Sequence, residues 1–426
     1  MNPRRQFCFA LLFCPLLARA AIIGTNTPAA PLTAERVAAL PAWKKYFDHS
    51  RRQRTTDQNF LRAELKAHGL KQATVPHGTH SATGVKLDHP DAWYAGDEAR
   101  RIADILVSFQ TPAGGWSKNT DFTQRPRAPG EMFGAENGSL RLGANDFDAA
   151  ADPHWDYVGT FDNQATTTEL RFLAKVIAES KPENDRWRDS FYRGLDYIFA
   201  AQYPNGGWPQ VWPLQGGYHD AITLNDDAML HILEFLHDVA GGQSEFSFVP
   251  LAVRAKAAAS YQRGMDCLLA AQVVVHGRRT AWAQQYDPLT LQPTSARNYE
   301  MPSLASAESA KIVLFLMQPS NPTSNEVAAV HAACAWFDET KIENKVYKSA
   351  GNEGRELLDA PGSGPLWSRY YEIGTNRPIF GDRDKTIHDD VNDISRERRN
   401  GYGWFRDTPK RVLEHYRKWA KRHPLQ

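Results

Sequence analysis

The sequence predicts an all-α fold, an α/α toroid built of three helix pairs, an (α/α)3 barrel, with long irregular loops. Apolar residues in the middle of the chain recur with a helical period, as in Leu170, Leu173, Ala174 and Ile177. Runs that alternate Val, Ile and Tyr with polar residues, the pattern of a half-buried strand, are scarce. A helix-and-turn unit also repeats three times, and such units must stack to bury their apolar faces.

The predicted helices follow one another with long connections between them. The spacing of Met229, Ile232, Leu233 and Leu236 repeats that of the helix at Leu170. Further helices are predicted over residues 186–202, 250–272, 305–317, 325–340 and 409–423. Irregular loops are predicted over residues 75–100, 120–160 and 341–407, which are rich in Gly and Pro or in Arg and Tyr. Loops of this length in a compact domain tend to carry function.

Each repeat unit is a helix that ends in Gln, followed by a turn and a Trp. The three pairs are Gln110 with Trp116, Gln202 with Trp208, and Gln272 with Trp282. The glycines in the turns suit a helix end that needs a positive φ. We expect the Gln amide to tie the turn to the helix by hydrogen bonds and the indole to do so by packing. The alternative is that the Trp side chains contact a ligand directly.

The N-terminus has the features of a secretory signal peptide over residues 1–20. Arg4 and Arg5 precede an apolar run, and Ala18-Arg19-Ala20 has the small-x-small form of a cleavage site. The alternative is a short N-terminal core helix. Residues 21–95 are then an N-terminal helical and irregular segment, and residues 96–426 form the toroid with a C-terminal stretch rich in Arg and aromatic residues. We therefore expect a secreted protein, periplasmic or extracellular.

Composition excludes several classes of partner. The chain has 426 residues with 50 Lys and Arg against 49 Asp and Glu, which argues against nucleic acid. After the N-terminus it has no apolar run of about 20 residues, so no membrane span is expected. Outside the signal peptide, Cys267 and Cys334 remain, either as one disulfide or as two buried thiols. We expect a monomer.

Two short polar segments lie just before predicted helices. The first contains Asp162 and Asn163, and the second contains Asp226 and Asp227. A single Asp, or Thr166, is explained by helix capping, but two adjacent acids exceed what one cap needs. Ca²⁺ takes oxygen ligands from Asp and Asn, so the two segments could share one such ion at one end of the toroid. Spacing alone makes this a weak signal.

Arginines with aromatic neighbours mark a third segment and the C-terminal stretch. Arg297 precedes the helix predicted to begin near residue 305, and its ordinary role would be a surface or salt-bridged side chain. Arg369, Arg377 and Arg383 are interleaved with Trp, Tyr and Phe residues. Arg forks bind carboxylates bidentately, which suits an acidic sugar polymer. The alternative is a set of structural arginines that hold irregular loops together.

A series of short segments carries a family resemblance through the chain. They lie in order at residues 114–119, 160–169, 203–210, 216–220, 225–228, 296–300, 302–304, 373–378, 380–383 and 397–404. Together they resemble the pectate lyases of polysaccharide lyase family ten, over roughly residues 95–407. The departures are small: Ser117 stands where the family often has Pro, Asn298 replaces a small residue, and Leu224 and Phe161 replace other apolar residues. None of them touches a presumed catalytic group, although subsite preference could differ.

The resemblance implies a function and assigns roles to residues. The family fold is an α/α toroid of three helix pairs, and its members cleave polygalacturonate by Ca²⁺-assisted β-elimination, which leaves 4,5-unsaturated oligogalacturonides. Arg297 would be the catalytic base. The implied Ca²⁺ ligands are Asp162, Asn163, Asp226 and Asp227. The implied substrate-binding residues are Lys118, Asp162, Arg369, Arg377 and Arg383. We expect nearby cations and burial to lower the pKa of Arg297, so that part of it is neutral.

Three other functions fit parts of the pattern. Helix–Gln–Trp repeats also mark cyclase and prenyltransferase toroids, but those need an apolar cavity and usually act at membranes. An inverting glycosidase would use two carboxylates, for which Asp162 with Asp226 or Asp227 could serve. A non-catalytic protein could bind an acidic polysaccharide with the same surface. The expected partner in the leading interpretation is polygalacturonate or another uronate polymer.

Overall fold

The computed structural model describes residues 22–78, 84–135, 146–147, 158–181 and 184–425. The predicted signal peptide, residues 1–20, lies outside the described residues, as does most of the second half of the predicted loop 120–160. About 48% of the described residues are helical, so helices dominate as predicted. None of the helices described here is long and apolar enough to cross a bilayer.

Eleven helices are present among the described residues. They are α1 (Ala34–Val37), α2 (Pro41–Ala67), α3 (Asp97–Phe109), α4 (Thr167–Glu179), α5 (Asp185–Ala201), α6 (Ala228–Gly241), α7 (Leu251–Ala270), α8 (Ser306–Leu316), α9 (Ser324–Thr340), α10 (Arg396–Gly401) and α11 (Thr408–Arg422). Every helix predicted from apolar periodicity is present within two residues of its predicted ends. The long helix α2 was not predicted individually, and α3 begins inside the predicted loop 75–100.

The helices form the predicted toroid. Among consecutive helices, α3 packs on α4, α4 on α5, and α6 on α7. The core holds the apolar faces predicted from periodicity, with Leu170, Leu173 and Ala174 fully buried in α4. Helix α9 packs on α8, and α11 packs on both of them. Helices α9 and α11 form a further pair, which was not predicted from the sequence.

The repeated Gln side chains join successive outer helices, which confirms the predicted tie and extends it. In the first unit Gln110 Nε2 donates to Gly114 O in its own turn, at 2.7 Å, and to Ser190 O in α5, at 2.8 Å. Gln202 makes the same two bonds, reaching α7, and Gln272 reaches α9. The amide therefore fixes the turn and also the spacing to the next repeat.

The repeated Trp side chains close each turn back onto its own helix. Trp116, Trp208 and Trp282 are fully buried, and each indole donates to a carbonyl of the preceding helix, at 2.8–2.9 Å. Trp367 makes the same bond to Phe337 O in α9, so it is a fourth member. The structural interpretation of these Trp residues is thus correct, and a direct ligand role is wrong because the side chains are enclosed in the core.

Fifteen short strands connect the described helices. They are β1 (Ile22–Thr25), β2 (Gly159–Thr160), β3 (Val211–Trp212), β4 (Ile222–Thr223), β5 (Val274–Val275), β6 (Arg278–Arg279), β7 (Gln285–Tyr286), β8 (Leu304–Ala305), β9 (Lys345–Ser349), β10 (Arg355–Asp359), β11 (Trp367–Ser368), β12 (Tyr370–Tyr371), β13 (Phe380–Gly381), β14 (Thr386–His388) and β15 (Phe405–Arg406). Seven of these strands lie in the stretch 341–407, which was predicted to be irregular throughout.

The strands form antiparallel sheets of two or three strands. Three pairings recur in equivalent places. Strands β2, β4 and β8 precede the inner helices α4, α6 and α8, and they pair with β3, β7 and β12 of the next unit. Thr160 thus faces Val211, and Thr223 faces Gln285. These pairings fix the end of the toroid at which the inner helices begin.

The two cysteines of the described chain are free. Cys267 and Cys334 are both buried, and burial raises the pKa of the Cys267 thiol to about 12. Of the two expectations for this pair, the buried-thiol alternative agrees with the structure.

Candidate active site

Two turns of the same shape lead into α4 and α6. Each is a 3-10 turn, Asp162–Gln164 and Asn225–Asp227, and in each the last two residues are left-handed. The backbone φ is 52° at Asn163 and 50° at Asp226. A left-handed backbone conformation costs Asn and Asp little free energy. Clusters of residues in this conformation are typical of functional sites. The two turns lie side by side, which brings the two predicted polar segments together.

Asp162 is buried in the first turn and held by Lys118. The Lys118 ammonium donates to Asp162 Oδ2, whereas Oδ1 has no hydrogen-bond partner in the described protein. Burial alone raises the pKa of this carboxyl. The charges of Lys118 and Arg297 outweigh burial and hold the pKa below its ordinary value. Asp162 is therefore an anion with one buried oxygen that no described protein group satisfies.

Asp226 occupies in the second turn the left-handed position that Asn163 has in the first, and it is open to solvent. Its Oδ2 accepts a hydrogen bond from Asn225 Nδ2, at 2.9 Å. The surrounding protein atoms and the negative charge of Asp162 raise the pKa of Asp226. The negative charge that raises the proton affinity of Asp226 also attracts a metal cation.

Asp227 does not share this cluster, in contrast to the prediction. Its carboxylate is paired with Lys311 of α8, at 2.6 Å, and is therefore already neutralised. Asn163, by contrast, is partly exposed next to Asp162. Of the four residues predicted to bind a cation, the structure favours Asp162, Asn163 and Asp226.

Arg297 faces the same region from the segment before β8. Its charge affects the pKa values of Asp162, His219 and Asp226, so it lies within electrostatic reach of all three. The guanidinium forms a bidentate pair with buried Glu300, with Nε–Oε2 at 2.8 Å and Nη2–Oε1 at 2.5 Å. Nη1 lies outside this pair.

The expectation that its surroundings lower the pKa of Arg297 is wrong. Burial lowers it, but the charge and hydrogen bonds of Glu300 have the larger combined effect and hold the pKa well above its ordinary value. The same contacts lower the pKa of Glu300 to about 2, although burial opposes that shift. The ligand-free protein therefore keeps Arg297 protonated. The sequence did not show this because the role of Glu300, three residues away, depends on the turn between them.

A chain of hydroxyl groups supports Glu300 from behind. The Tyr402 hydroxyl donates to Glu300 Oε1, at 2.6 Å, and lies 2.6 Å from the Tyr370 hydroxyl, which contacts the amide of Gln284. Both oxygens of Glu300 thus accept two hydrogen bonds, since Arg297 N also donates to Oε2. This support fixes the plane of the guanidinium.

Arg383 approaches the site from the C-terminal stretch, next to Arg297. Both guanidinium groups lie over the ring of Tyr299, at 5.6 and 5.1 Å from its centre. Arg383 is about half exposed and pairs with Glu397, which also binds buried Arg398. Arg398 was part of a recognised motif but was not predicted as a site residue.

The other two predicted arginines lie outside the open part of the site. Arg369 is buried and donates from Nη2 to Glu308, at 2.6 Å, and to Asn225, at 3.0 Å, so it supports the second turn from behind. Arg377 is on the surface, where Glu372 and Asp389 neutralise it. No described contact joins Arg377 to the cluster, so the structure does not support its prediction as a substrate clamp.

His219 belongs to the site although it was not among the predicted site residues. It is buried, its ring stacks on Tyr218, and Lys118, Asp162 and Arg297 all affect its pKa. Burial and the charge of Lys118 lower that pKa to about 3, so His219 is neutral. The sequence signal was the segment 216–220, which was noted only for the family resemblance.

The donors at the two turns suit a hard cation but do not complete a site. Asp162 Oδ1 is a buried oxygen without a partner in the described protein, and Asn163 and Asp226 belong to the same two adjacent turns. These are oxygen ligands of the kind that Ca²⁺ prefers. Within the described ranges, no group of three or more His, Cys, Asp or Glu is arranged to hold a metal. A cation here would need further ligands from a bound molecule.

Comparison with known proteins agrees with this architecture. The family model and the similar solved structures identify the protein as a polysaccharide lyase. The chain belongs to the pectic acid lyase family, whose sequence model matches residues 110–413. The resemblance to the pectate lyases of polysaccharide lyase family ten is thereby confirmed.

Two solved structures of similar proteins extend the comparison. A family 10 polysaccharide lyase from Cellvibrio cellulosa is 31% identical, with a TM-score of 0.63 over 79% of this chain and 99% of that one. An Asp-to-Ala mutant of a family 10 polysaccharide lyase from Cellvibrio cellulosa, in complex with trigalacturonic acid, is also 31% identical. Its TM-score is 0.62, over 77% of this chain and 95% of that one. No match was found among curated proteins.

Proposed function

We propose that this pectate lyase cleaves polygalacturonate by Ca²⁺-assisted β-elimination with Arg297 as the base. The observation that carries the proposal is the placement of Arg297 within electrostatic reach of Asp162 and Asp226. That arrangement sets a nitrogen base beside a site for a cation and an anionic sugar. The trigalacturonic acid bound by the similar lyase supports a uronate polymer as substrate.

Different residues of this chain would bind the cation and the substrate. Asp162, Asn163 and Asp226 would hold Ca²⁺, which when bound supplies positive charge to offset the developing dianion of the substrate carboxylate. Arg383 and Lys118 would pair with uronate carboxylates on either side of this cation site. Arg297 and Arg383 both pack on Tyr299, and both are positively charged. Together they attract the anionic polymer to this end of the toroid.

The elimination then needs one proton transfer in the protein. Arg297, in its neutral form, takes the C5 proton at Nη1, because Nε and Nη2 are tied to Glu300. The C5–H electrons form the C4–C5 double bond, the C4–O bond breaks, and the leaving oxygen takes a proton from water. A strong base that is neutral in only a small fraction of molecules can transfer a proton as fast, on average, as a weaker base that is always neutral.

One assay separates this proposal from its alternatives. We expect polygalacturonate to give a 4,5-unsaturated product, seen by its ultraviolet absorbance, and we expect EDTA to stop and Ca²⁺ to restore its formation. A hydrolase would release reducing ends without the absorbance, and a binding protein would release neither. Unsaturated product at an unchanged rate in excess EDTA would refute the role of Ca²⁺.

Secretion and a monomeric state complete the proposal. The basic and apolar residues at the N-terminus support export, and the expected result is a mature protein in the periplasm or the medium. Cell fractionation with N-terminal sequencing tests the export. Light scattering on a sizing column tests the monomer.

A further inference from the structure

Helix α2 carries a concentrated positive charge on its exposed face. Six exposed basic residues define this α2 basic face: Lys44, Lys45, Arg51, Arg52, Arg62 and Lys66. At 3.6 residues per turn they fall within about 120° of the helix circumference and along about 33 Å of its length. One acid, Asp48, lies on the same face and pairs with Lys44. The whole chain has 50 basic and 49 acidic residues, so positive charge is in local excess on this face.

The charge on this face is strong enough to affect its neighbours. The pKa of Asp48 is lowered, mainly by its hydrogen bond to Lys44 and also by the charges of Arg51 and Arg52. The pKa of His49 is lowered by partial burial and by the charge of Arg52. A positive potential of this kind attracts an anion and disfavours a cation.

The opposite face of α2 attaches it to the part of the chain that builds the active site. Leu214 N donates to Ser50 Oγ, at 2.9 Å, and the Tyr46 hydroxyl donates to Ala201 O, at 2.9 Å. Leu214 lies in the connection that follows β3 and leads to His219. The α2 basic face is therefore fixed relative to the loops at the active-site end of the toroid.

Helix α11 offers a comparison, because its exposed residues are equally basic. They are Lys410, Arg411, Arg417, Lys418, Lys421 and Arg422, with Glu414 among them. Helix α11, however, lines a cleft with Leu314 and Met317 at the C-terminal end of α8, whereas the active site lies before the N-terminal end of that helix. Helix α2 also precedes the region matched by the family model, which begins at residue 110. The position beside the active-site loops distinguishes α2 from α11.

We propose that the α2 basic face is an accessory binding surface for an acidic polysaccharide, outside the catalytic cluster. The choice of a uronate polymer rests on the proposed function. A compact anion would engage only one end of a face about 33 Å long, whereas an extended chain with a carboxylate on each sugar matches its length. Thr55 and Asn59, exposed between the basic residues, offer hydrogen bonds to sugar hydroxyls. Holding the polymer here raises its local concentration near the site.

The test compares a polymer with a short substrate in two matched variants. One variant of the full-length protein carries Lys45→Gln, Arg52→Gln, Arg62→Gln and Lys66→Gln. The control carries Lys410→Gln, Arg411→Gln, Lys418→Gln and Lys421→Gln, the same loss of charge on α11. At low ionic strength we expect the α2 variant to raise the KM for long polygalacturonate by about 3–10-fold. On a short oligogalacturonate, the kinetics of the α2 variant should match those of the wild type. The α11 control should match the wild type on both the polymer and the short substrate.

Three outcomes would overturn the proposal. An unchanged KM for the polymer in the α2 variant would do so, and so would an equal rise in both variants, which indicates steering by net charge alone. Binding of the wild type through α2 to vesicles of anionic lipid, without binding to polygalacturonate, would identify a membrane surface instead. Failure of the proposed function is distinguishable, because the wild type would then form no unsaturated product from either substrate.

Discussion

Arg297 and Glu300 form a bidentate ion pair at the active site, in which the carboxylate is buried and the guanidinium is partly exposed. The exposed fraction is 3% for the Glu300 side chain and 32% for that of Arg297. The pair uses Nε and Nη2 and leaves Nη1 outside the contact. It also raises the pKa of Arg297, so the same contact that orients the base reduces its neutral fraction.

The first prediction concerns the base itself. We expect Arg297→Ala to lower kcat by about 10²–10⁴-fold, because proton transfer is lost, while KM changes much less. Arg297→Lys should also be badly impaired, since an ammonium cannot form the planar bidentate pair with Glu300. Steady-state kinetics on polygalacturonate measure both, with circular dichroism to confirm folding. Arg377→Ala, outside the cluster, is the control and should keep the wild-type kcat. Near-normal kcat in folded Arg297→Ala would rule out this residue as the base.

The second prediction uses Glu300 to change the pH dependence. The wild-type rate should rise into the alkaline range, because the neutral fraction of Arg297 grows with pH. Glu300→Gln removes the charge that raises the pKa of Arg297, so the rise should begin at a lower pH. The maximal kcat should fall, because the guanidinium loses its bidentate partner. The pH profile of kcat measures both effects.

A buried glutamate elsewhere provides the control for Glu300. Glu326 caps helix α9 through Thr323 and is not among the groups that shift the pKa of Arg297. Glu326→Gln should lower the melting temperature but leave the pH profile in place. If Glu300→Gln also changed only stability, then Glu300 would be a structural residue without influence on the base.

The sequence predicted much of the fold because the repeat is local. A helix that ends in Gln110 and a turn with Trp116 are neighbours along the chain, so their pattern is visible directly. The fourth unit escaped notice because its helix ends in Thr340 and a hairpin, β9 with β10, separates that helix from Trp367. Short strands such as β2 were also missed, since two paired residues leave no alternating pattern.

The site was predicted less completely, because proximity in space has no signature in spacing. The sequence could not show that Lys311 neutralises Asp227, since these residues are 84 positions apart. For the same reason it could not separate exposed Arg383 from buried Arg369, although both lie in the same Arg-rich stretch. His219 was not assigned to the site, because a lone histidine has many ordinary roles and only its neighbours in the fold identify it.

The third prediction separates the two acids of the second turn. Asp226→Asn should raise the Ca²⁺ concentration needed for half-maximal activity, because it removes one of the two neighbouring carboxylates. Asp227→Asn should change it by no more than about twofold, since Asp227 is already paired with Lys311 at the surface. Titration of activity with Ca²⁺ after EDTA treatment measures the difference. Equal effects of the two substitutions would contradict the assignment.

The pKa of Asp226 gives the third prediction a pH test. The surrounding protein atoms and the charge of Asp162 raise this pKa above its ordinary value of 3.8. Protons therefore compete with Ca²⁺ at a higher pH than an ordinary Asp allows, and the Ca²⁺ requirement of the wild type should increase as the pH falls. In Asp226→Asn this increase should be smaller, because the titrating group is gone.

The fourth prediction is that Glu397 competes with substrate for Arg383. Arg383 is the exposed cation of the site, yet Glu397 occupies its fork through Nε and Nη2, at 2.9 and 3.1 Å. A uronate carboxylate must replace Glu397 there. Glu397→Gln removes the competing charge, and exposed pairs are worth up to about 1 kcal/mol, so KM for polygalacturonate should fall by about 2–5-fold with kcat unchanged.

Removal of the arginine should have the opposite effect. Arg383→Ala should raise KM by roughly tenfold or more, because a charged hydrogen bond to the sugar is lost. The double variant, Glu397→Gln with Arg383→Ala, should match Arg383→Ala alone, because Glu397 then has no partner in the fork to compete for. A fall in KM in the double variant as large as in Glu397→Gln would show that Glu397 acts elsewhere, for example through Arg398.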